Sequence, residues 1–274
     1  WATRAQVYAP DGAPRGDEFL VNTTTESSQS PSTVAGLSDG GFVIIWQDWS
    51  EATGFGPGAS GLTTRVQIFN ADGSPRGNEF LVKDAEGAQS QATVVGLQDG
   101  EFVIIWSDYG TGPDKYDEWE WKSQIYASDG TLKVGEFTIS KPEPEVSSVR
   151  SDATGLADGS VVFIWEEDKV LNMERTESLK GRLYNDDGTP RGEEFVIETS
   201  ADTTGSPNVS DLDDGGFVVT WSSREDGNVT GSDVRGQAFS ANATPVGDEF
   251  QVNTTESGGY PSVDGLVDGG FAVS

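Results

Sequence analysis

Five times along the chain a Leu leads through an Asp-Gly turn into an apolar block, and four of those blocks end in Trp. The clearest copies run from Leu37 to Trp46 and from Leu97 to Trp106; the others begin at Leu156, Leu212 and Leu266. Phe42-Val43-Ile44-Ile45-Trp46 is apolar at every position, the pattern of a strand covered on both faces. Three more strand-like runs surround it, so the first complete repeat predicts strands at 32–37, 42–46, 65–69 and 79–82. The Asp-Gly-Gly between the first two predicts a tight hairpin, because Gly reaches positive φ at little cost. The third and fourth are joined by Asn70-Ala71-Asp72-Gly73-Ser74-Pro75-Arg76-Gly77, dense in turn residues. After each copy of this turn comes a Glu-Phe pair: Glu18-Phe19, Glu79-Phe80, Glu136-Phe137, Glu194-Phe195 and Glu249-Phe250.

The Asp residues of the hairpins (39, 99, 158, 214 and 268) are separated by 60, 59, 56 and 54 residues, and a near-fixed period of this size marks a repeat architecture. Residues 1–22 carry only a third and a fourth strand, and residues 260–274 only a first and most of a second. Together they make one repeat. The pattern therefore predicts an all-β fold, a five-bladed β-propeller with four antiparallel strands per blade and one blade closed by both termini. Residues 1–274 form a single propeller domain on this reading, with blades at about 32–83, 91–139, 150–197 and 206–252 and a composite blade from 1–22 plus 260–274. Closure of the ring leaves fewer free sheet edges than an open array. The variable loops between second and third strands (47–64, 107–121, 166–179, 222–234) are expected on one face, where binding usually resides. The loops joining successive repeats are expected on the opposite face.

Composition narrows the function. A formal charge of −29 repels phosphate, which argues against nucleic acids and anionic membranes as partners. With neither Cys nor His the chain has no disulfide, no thiolate nucleophile and none of the usual general base. No apolar run is long enough to span a bilayer. The few cations recur by position: Arg4, Arg65, Lys122, Lys180 and Arg235 on third strands, Arg15, Arg76, Lys133 and Arg191 in turns. Because scaffold contacts repeat in every blade and ligand sites seldom do, these are expected to pair with recurrent acids such as Asp48, Asp108 and Glu18.

Three kinds of chemistry are then open. Exposed loop aromatics (Trp49, Phe55, Tyr109, Tyr116, Trp119 and Trp121) offer apolar faces beside polar groups on which sugar rings stack. Asp48, Asp108 and Asp168, on Gly-containing loops, are oxygen ligands of the kind Ca²⁺ takes, although no EF-hand loop and no Gly-Gly-x-Gly-x-Asp nonapeptide is present. Paired carboxylates could hydrolyse a glycosidic bond; on the innermost strands only Asp152 and Asp264 qualify. Asn22, Asn228, Asn242 and Asn253 match the glycan-acceptor pattern.

The passage Asp213-Asp214-Gly215-Gly216-Phe217-Val218-Val219-Thr220-Trp221, with Val234-Arg235-Gly236-Gln237-Ala238-Phe239 and Gly247-Asp248-Glu249-Phe250-Gln251-Val252-Asn253-Thr254, resembles the roughly 50-residue repeats of large secreted bacterial proteins, adhesins and hemolysin-type calcium-binding proteins. That resemblance implies an extracellular or cell-surface setting. The blade count resembles that of small lectin propellers. The leading expectation is accordingly a non-enzymatic binding or adhesion module that meets an extracellular glycan or surface protein and has Ca²⁺ as its one candidate cofactor. A structural spacer or lattice subunit comes second, and a propeller glycosidase third.

Overall fold

The computed structural model describes residues 3–23, 29–49, 62–83, 88–109, 119–141, 146–147, 150–171, 174–200, 204–223, 233–254 and 259–274. Among them every regular element is a strand, and no helix is long and apolar enough to cross a membrane. The chain divides into two compact units, Trp1–Lys141 and Pro142–Ser274.

In the first unit, β1 (Arg4–Tyr8) and β2 (Pro14–Leu20) form a two-stranded sheet. Next come two antiparallel four-stranded sheets. One is β3 (Gln29–Gly36), β4 (Phe42–Asp48), β5 (Thr63–Phe69) and β6 (Pro75–Leu81); the other is β7 (Ala88–Gly96), β8 (Phe102–Tyr109), β9 (Trp119–Tyr126) and β10 (Leu132–Ser140). In the second unit, β11 (Val146–Ser147) and β12 (Ser151–Gly155) both pair with β13 (Val161–Leu171), followed by β14 (Glu174–Tyr184) and β15 (Pro190–Ser200). The last full sheet is β16 (Thr204–Asp211), β17 (Phe217–Ser223), β18 (Asp233–Phe239) and β19 (Pro245–Gln251), and the chain ends in β20 (Val263–Gly265) paired with β21 (Phe271–Val273). The four-stranded meanders are thus as expected. The four strands assigned to a composite blade stand instead as two two-stranded sheets, one in each unit. β21 has three residues against seven in β17, which leaves it a short ladder.

Each apolar block is the second strand of its sheet, and Trp46, Trp106, Trp165 and Trp221 are essentially fully buried. Burying a large apolar side chain contributes about 1.5–3 kcal/mol, which makes these strands the centre of each sheet's stability. The hairpins work as the sequence requires. Gly40 sits at φ +86°, its N–H donates to Leu37 O at 2.9 Å, and Asp39 Oδ1 accepts from Gly41 N at 2.9 Å.

The Glu-Phe pairs now have a cause. Pleating sends neighbouring side chains to opposite faces. The Glu pairs with the third-strand cation of its own sheet: Glu18 with Arg4 at 2.6 Å, Glu79 with Arg65 at 2.8 Å, Glu136 with Lys122 at 2.8 Å, Glu249 with Arg235 at 2.7 Å. The Phe reaches the following sheet, Phe19 against Phe69, Phe80 against Tyr126, Phe195 against Phe239 and Phe250 against Phe271, with centroids 5.2–5.6 Å apart. One dipeptide locks a sheet to itself and to its successor.

First strands of neighbouring sheets also converge. A Cβ added at Gly96 would lie 2.1 Å from the carbonyl oxygen of Gly36 in the preceding sheet. Gly96→Ala is therefore expected to destabilise the protein by about 1–3 kcal/mol, the range of overpacked interiors, read as a lower urea midpoint at unchanged slope.

Two loop expectations are corrected. Four antiparallel strands return the chain to the same end after the second and the fourth strand, so both loop sets emerge on one rim. The ladder shows this directly, with Val146↔Lys169 and Ser147↔Asp168 pairing an inter-repeat segment to the far end of a second strand. The stretch 166–179 is also no loop: β13 and β14 stay in register over eleven pairs, from Val161↔Tyr184 to Leu171↔Glu174.

Candidate functional site

The acids expected to bind metal are held by cations. Asp48 pairs with the Arg65 guanidinium and accepts from Gln29 Nε2 at 3.0 Å. Asp108 faces Lys83 at 2.9 Å and Lys122 at 3.2 Å, and Asp168 accepts two bonds from Arg175 at 2.9 Å each. The three lie in three different sheets, and among the described residues no group of three or more acids is placed to hold a metal ion. The expected scaffold role of the recurrent cations is what these pairs show, and the turn cations follow suit, Arg76 with Asp39 at 2.6 Å, Arg191 with Asp158.

Of the loop aromatics, Phe55 and Tyr116 lie outside the described residues. Trp49 follows β4 and is half-buried; Tyr109 and Trp119 are a backbone pair at the ends of β8 and β9. Trp121 is 0 % exposed on β9 and has no ring face for a sugar. Asn22 is buried, and its Oδ1 accepts from Thr3 N at 2.8 Å, so it is no glycan acceptor in the fold; Asn228 lies outside the described residues.

A second group of acids lies on one face of a sheet in the second unit. Asp152 lies opposite Ile164 in the β12–β13 ladder. Glu166, two residues further along β13, therefore shares a face with Asp152, at the diagonal spacing of roughly 7–8 Å. Asp168 continues the same face, and Glu177 lies directly opposite it on β14. Glu167, one residue away, points to the other face, where it accepts from Trp165 Nε1 at 2.9 Å and pairs with Lys180 at 2.6 Å. Period-two alternation thus sends two neighbouring acids to opposite faces, Glu167 to its ion pair with Lys180 and Glu166 to the face of Asp152.

Glu166 is the exceptional member. Its side chain is only 4 % exposed, and Oε2 has no hydrogen-bond partner among the described residues; Arg150 Nη1 stands 3.7 Å away. Burial pushes this carboxyl up to about 7; Arg150 and Arg175 oppose the shift, while Glu177 and Asp168 add to it. Burial also pushes Asp152 up to about 6, against hydrogen bonds from the backbone of Val209 and Ala153 and from Asn208. Asp152 Oδ2 accepts from Asn208 Nδ2 at 2.6 Å and Val209 N at 2.9 Å, tying β12 to β16. Asn208 Oδ1 repeats the device by accepting from Val263 N at 2.7 Å. The tie works with an amide as well as a carboxylate, so it does not itself require the charge of Asp152. Asp264, the other innermost acid, is exposed on β20.

At neutral pH such a face can hold a proton on one carboxyl and a negative charge on the other, the requirement for paired acid and base work. The sequence pattern points to Asp152 but pairs it with Asp264, and with 166–179 read as a loop it sets Glu166 among the oxygen ligands near Asp168 rather than on a strand beside Asp152. Register along an eleven-residue strand is the signal that finds it.

No protein-family model matches the chain, and no curated protein matches it. Solved structures do. A Hadza microbial sialidase aligns over 86 % of this chain and 49 % of its own, at TM-score 0.59 and 10 % identity. The chain thus spans about half the length of that sialidase. The α-L-arabinanase of Penicillium chrysogenum aligns over 88 % and 74 % at TM-score 0.57 and 11 % identity, and the α-L-arabinofuranosidase of Fusarium graminearum over 89 % and 73 % at 0.56 and 13 %. The protein shares their β-propeller-like all-β fold. These findings overturn the expectation of a non-enzymatic adhesion module, since these three similar structures are by name enzymes acting on glycans.

Proposed function

We propose that the chain is a glycan-cleaving enzyme, a glycoside hydrolase whose acid is Glu166 and whose base is Asp152. One observation carries the reading: the register that sets two carboxyls of raised pKa on one face of one sheet. The fold shared with glycan-processing enzymes supports it. Glu166, holding its proton near neutrality, donates it to the glycosidic oxygen as the bond to the anomeric carbon breaks. Asp152, ionised above about 6, takes a proton from the water that attacks the opposite face. An acid on one side of the scissile bond and a base that activates water on the other inverts the anomeric centre.

The net charge of −29 favours an uncharged polysaccharide over a uronate or sialate, and an extracellular setting suits such a substrate. The test is release of reducing ends from arabinan, xylan and galactan, with the product anomer followed by NMR. We expect release with inversion; no release from any of them, or undiminished release by Asp152→Asn and Glu166→Gln, would remove the proposal.

A further inference from the structure

We propose that Tyr260 and Arg150 form a sugar-binding subsite beside Glu166, taking one ring of an uncharged glycan chain. The proposal rests on the reading of Glu166 given above and extends it to what the site holds.

Arg150 immediately precedes β12, and its carbonyl accepts from Glu166 N at 3.0 Å. Its guanidinium lies at the end of the acid-bearing face, Nη1 at 3.7 Å from Glu166 Oε2. A Cβ added at Gly205 would lie 2.7 Å from the same nitrogen and 3.4 Å from Ser222 Oγ. Gly205 therefore provides the space in which the guanidinium rests, and a larger residue there would push it off. On its remaining side stands Tyr260, whose ring centroid is 5.9 Å from Arg150 Cζ. This is within reach of a cation–π contact.

Tyr260 is 80 % exposed. An exposed aromatic alone says little, but this one precedes Pro261, which restricts its backbone, and adjoins a guanidinium that lies between Glu166 and Gly205. A ring so placed offers an apolar face for the C–H side of a sugar. A guanidinium carries five N–H donors, more than its contact with Glu166 among the described residues engages, and these can serve sugar hydroxyls. The same face holds Asp152, Glu166, Asp168 and Glu177 against Arg150 and Arg175, an excess of acid that disfavours a negatively charged ring.

Affinity gel electrophoresis tests this without any need for cleavage. Arabinan, xylan, galactan and polygalacturonate would be cast into native gels at 0.1 M salt. We expect at least one neutral polysaccharide to retard the wild-type protein and polygalacturonate not to. Tyr260→Ala and Arg150→Met should each weaken that retardation about tenfold, Tyr260→Trp should retain it, and melting of both Tyr260 variants should match wild type. Retardation unchanged in Tyr260→Ala, retardation by polygalacturonate alone, or none by any neutral chain would overturn the subsite. Retardation lost on Tyr260→Ala in a protein that releases no sugar would uphold the subsite and sink the hydrolase. Hydrolysis with KM and retardation indifferent to Tyr260→Ala would do the reverse.

Discussion

Glu166→Gln is expected to lower kcat on a cleaved polysaccharide about 10²–10⁴-fold, the usual contribution of a positioned general acid. The amide keeps the shape of the side chain but has no proton to give, so KM should change far less than kcat. The wild-type rate should follow a bell with limbs near pH 6, where Asp152 ionises, and pH 7, where Glu166 loses its proton. Stability carries a second signature. Between the ordinary carboxyl range and about 7, the folded state keeps the Glu166 proton while the unfolded chain has lost its own. The unfolded state then binds fewer protons, so stability falls as pH rises through that interval. Glu166→Gln does not titrate. Melting temperatures at pH 5 and pH 8 should therefore differ less in the variant than in wild type. A variant with full activity, or one whose melting shows the same pH dependence as wild type, would contradict the assignment.

The parts of this fold legible in the sequence are those fixed within one repeat. Leu-x-Asp-Gly names its own turn, because only the Gly reaches φ +86° without strain, and five-residue apolar blocks have nowhere to go but the middle of a sheet. The Arg and Lys of third strands were recognisable as scaffold because Glu18, Glu79, Glu136 and Glu249 recur with them. The site was less legible for the opposite reason: it is where the repeat departs from itself. Glu166 and Asp168 replace what in other repeats is a short strand end, and the hairpin lengthens to carry them. Whether Glu166 or Glu167 faces Asp152 depends on a register that hydrophobic pattern cannot give, since both neighbours are Glu. Tyr260 and Arg150 stand at the very first residues of their blades, where no recurring pattern marks them. They gain meaning only once antiparallel pairing sets them on the same rim as the second-strand ends.

Arg65→Met is expected to destabilise the protein by about 3–5 kcal/mol, the cost of leaving buried charges without their partner. Arg65 joins Asp48 and Glu79, whose side chains are 0 % and 4 % exposed, and is itself largely covered. Removing it takes the cation from two carboxylates that water barely reaches; Gln29 Nε2 still donates to Asp48 at 3.0 Å, and Thr23 N and Oγ1 to Glu79 Oε2 at 2.7 and 2.8 Å, which offset part of the loss. Arg4 occupies the same repeat position and pairs with Glu18 at 2.6 Å, but these side chains are 57 % and 58 % exposed. There water replaces the lost partner, and Arg4→Met should cost no more than about 1 kcal/mol. Urea unfolding of the two variants side by side makes the comparison at constant chemistry. Equal losses would mean that the recurrent cation acts through packing of its methylene stem. A large loss for Arg65 alone would show that burial turns the same repeated ion pair from an ornament of the surface into a condition of folding.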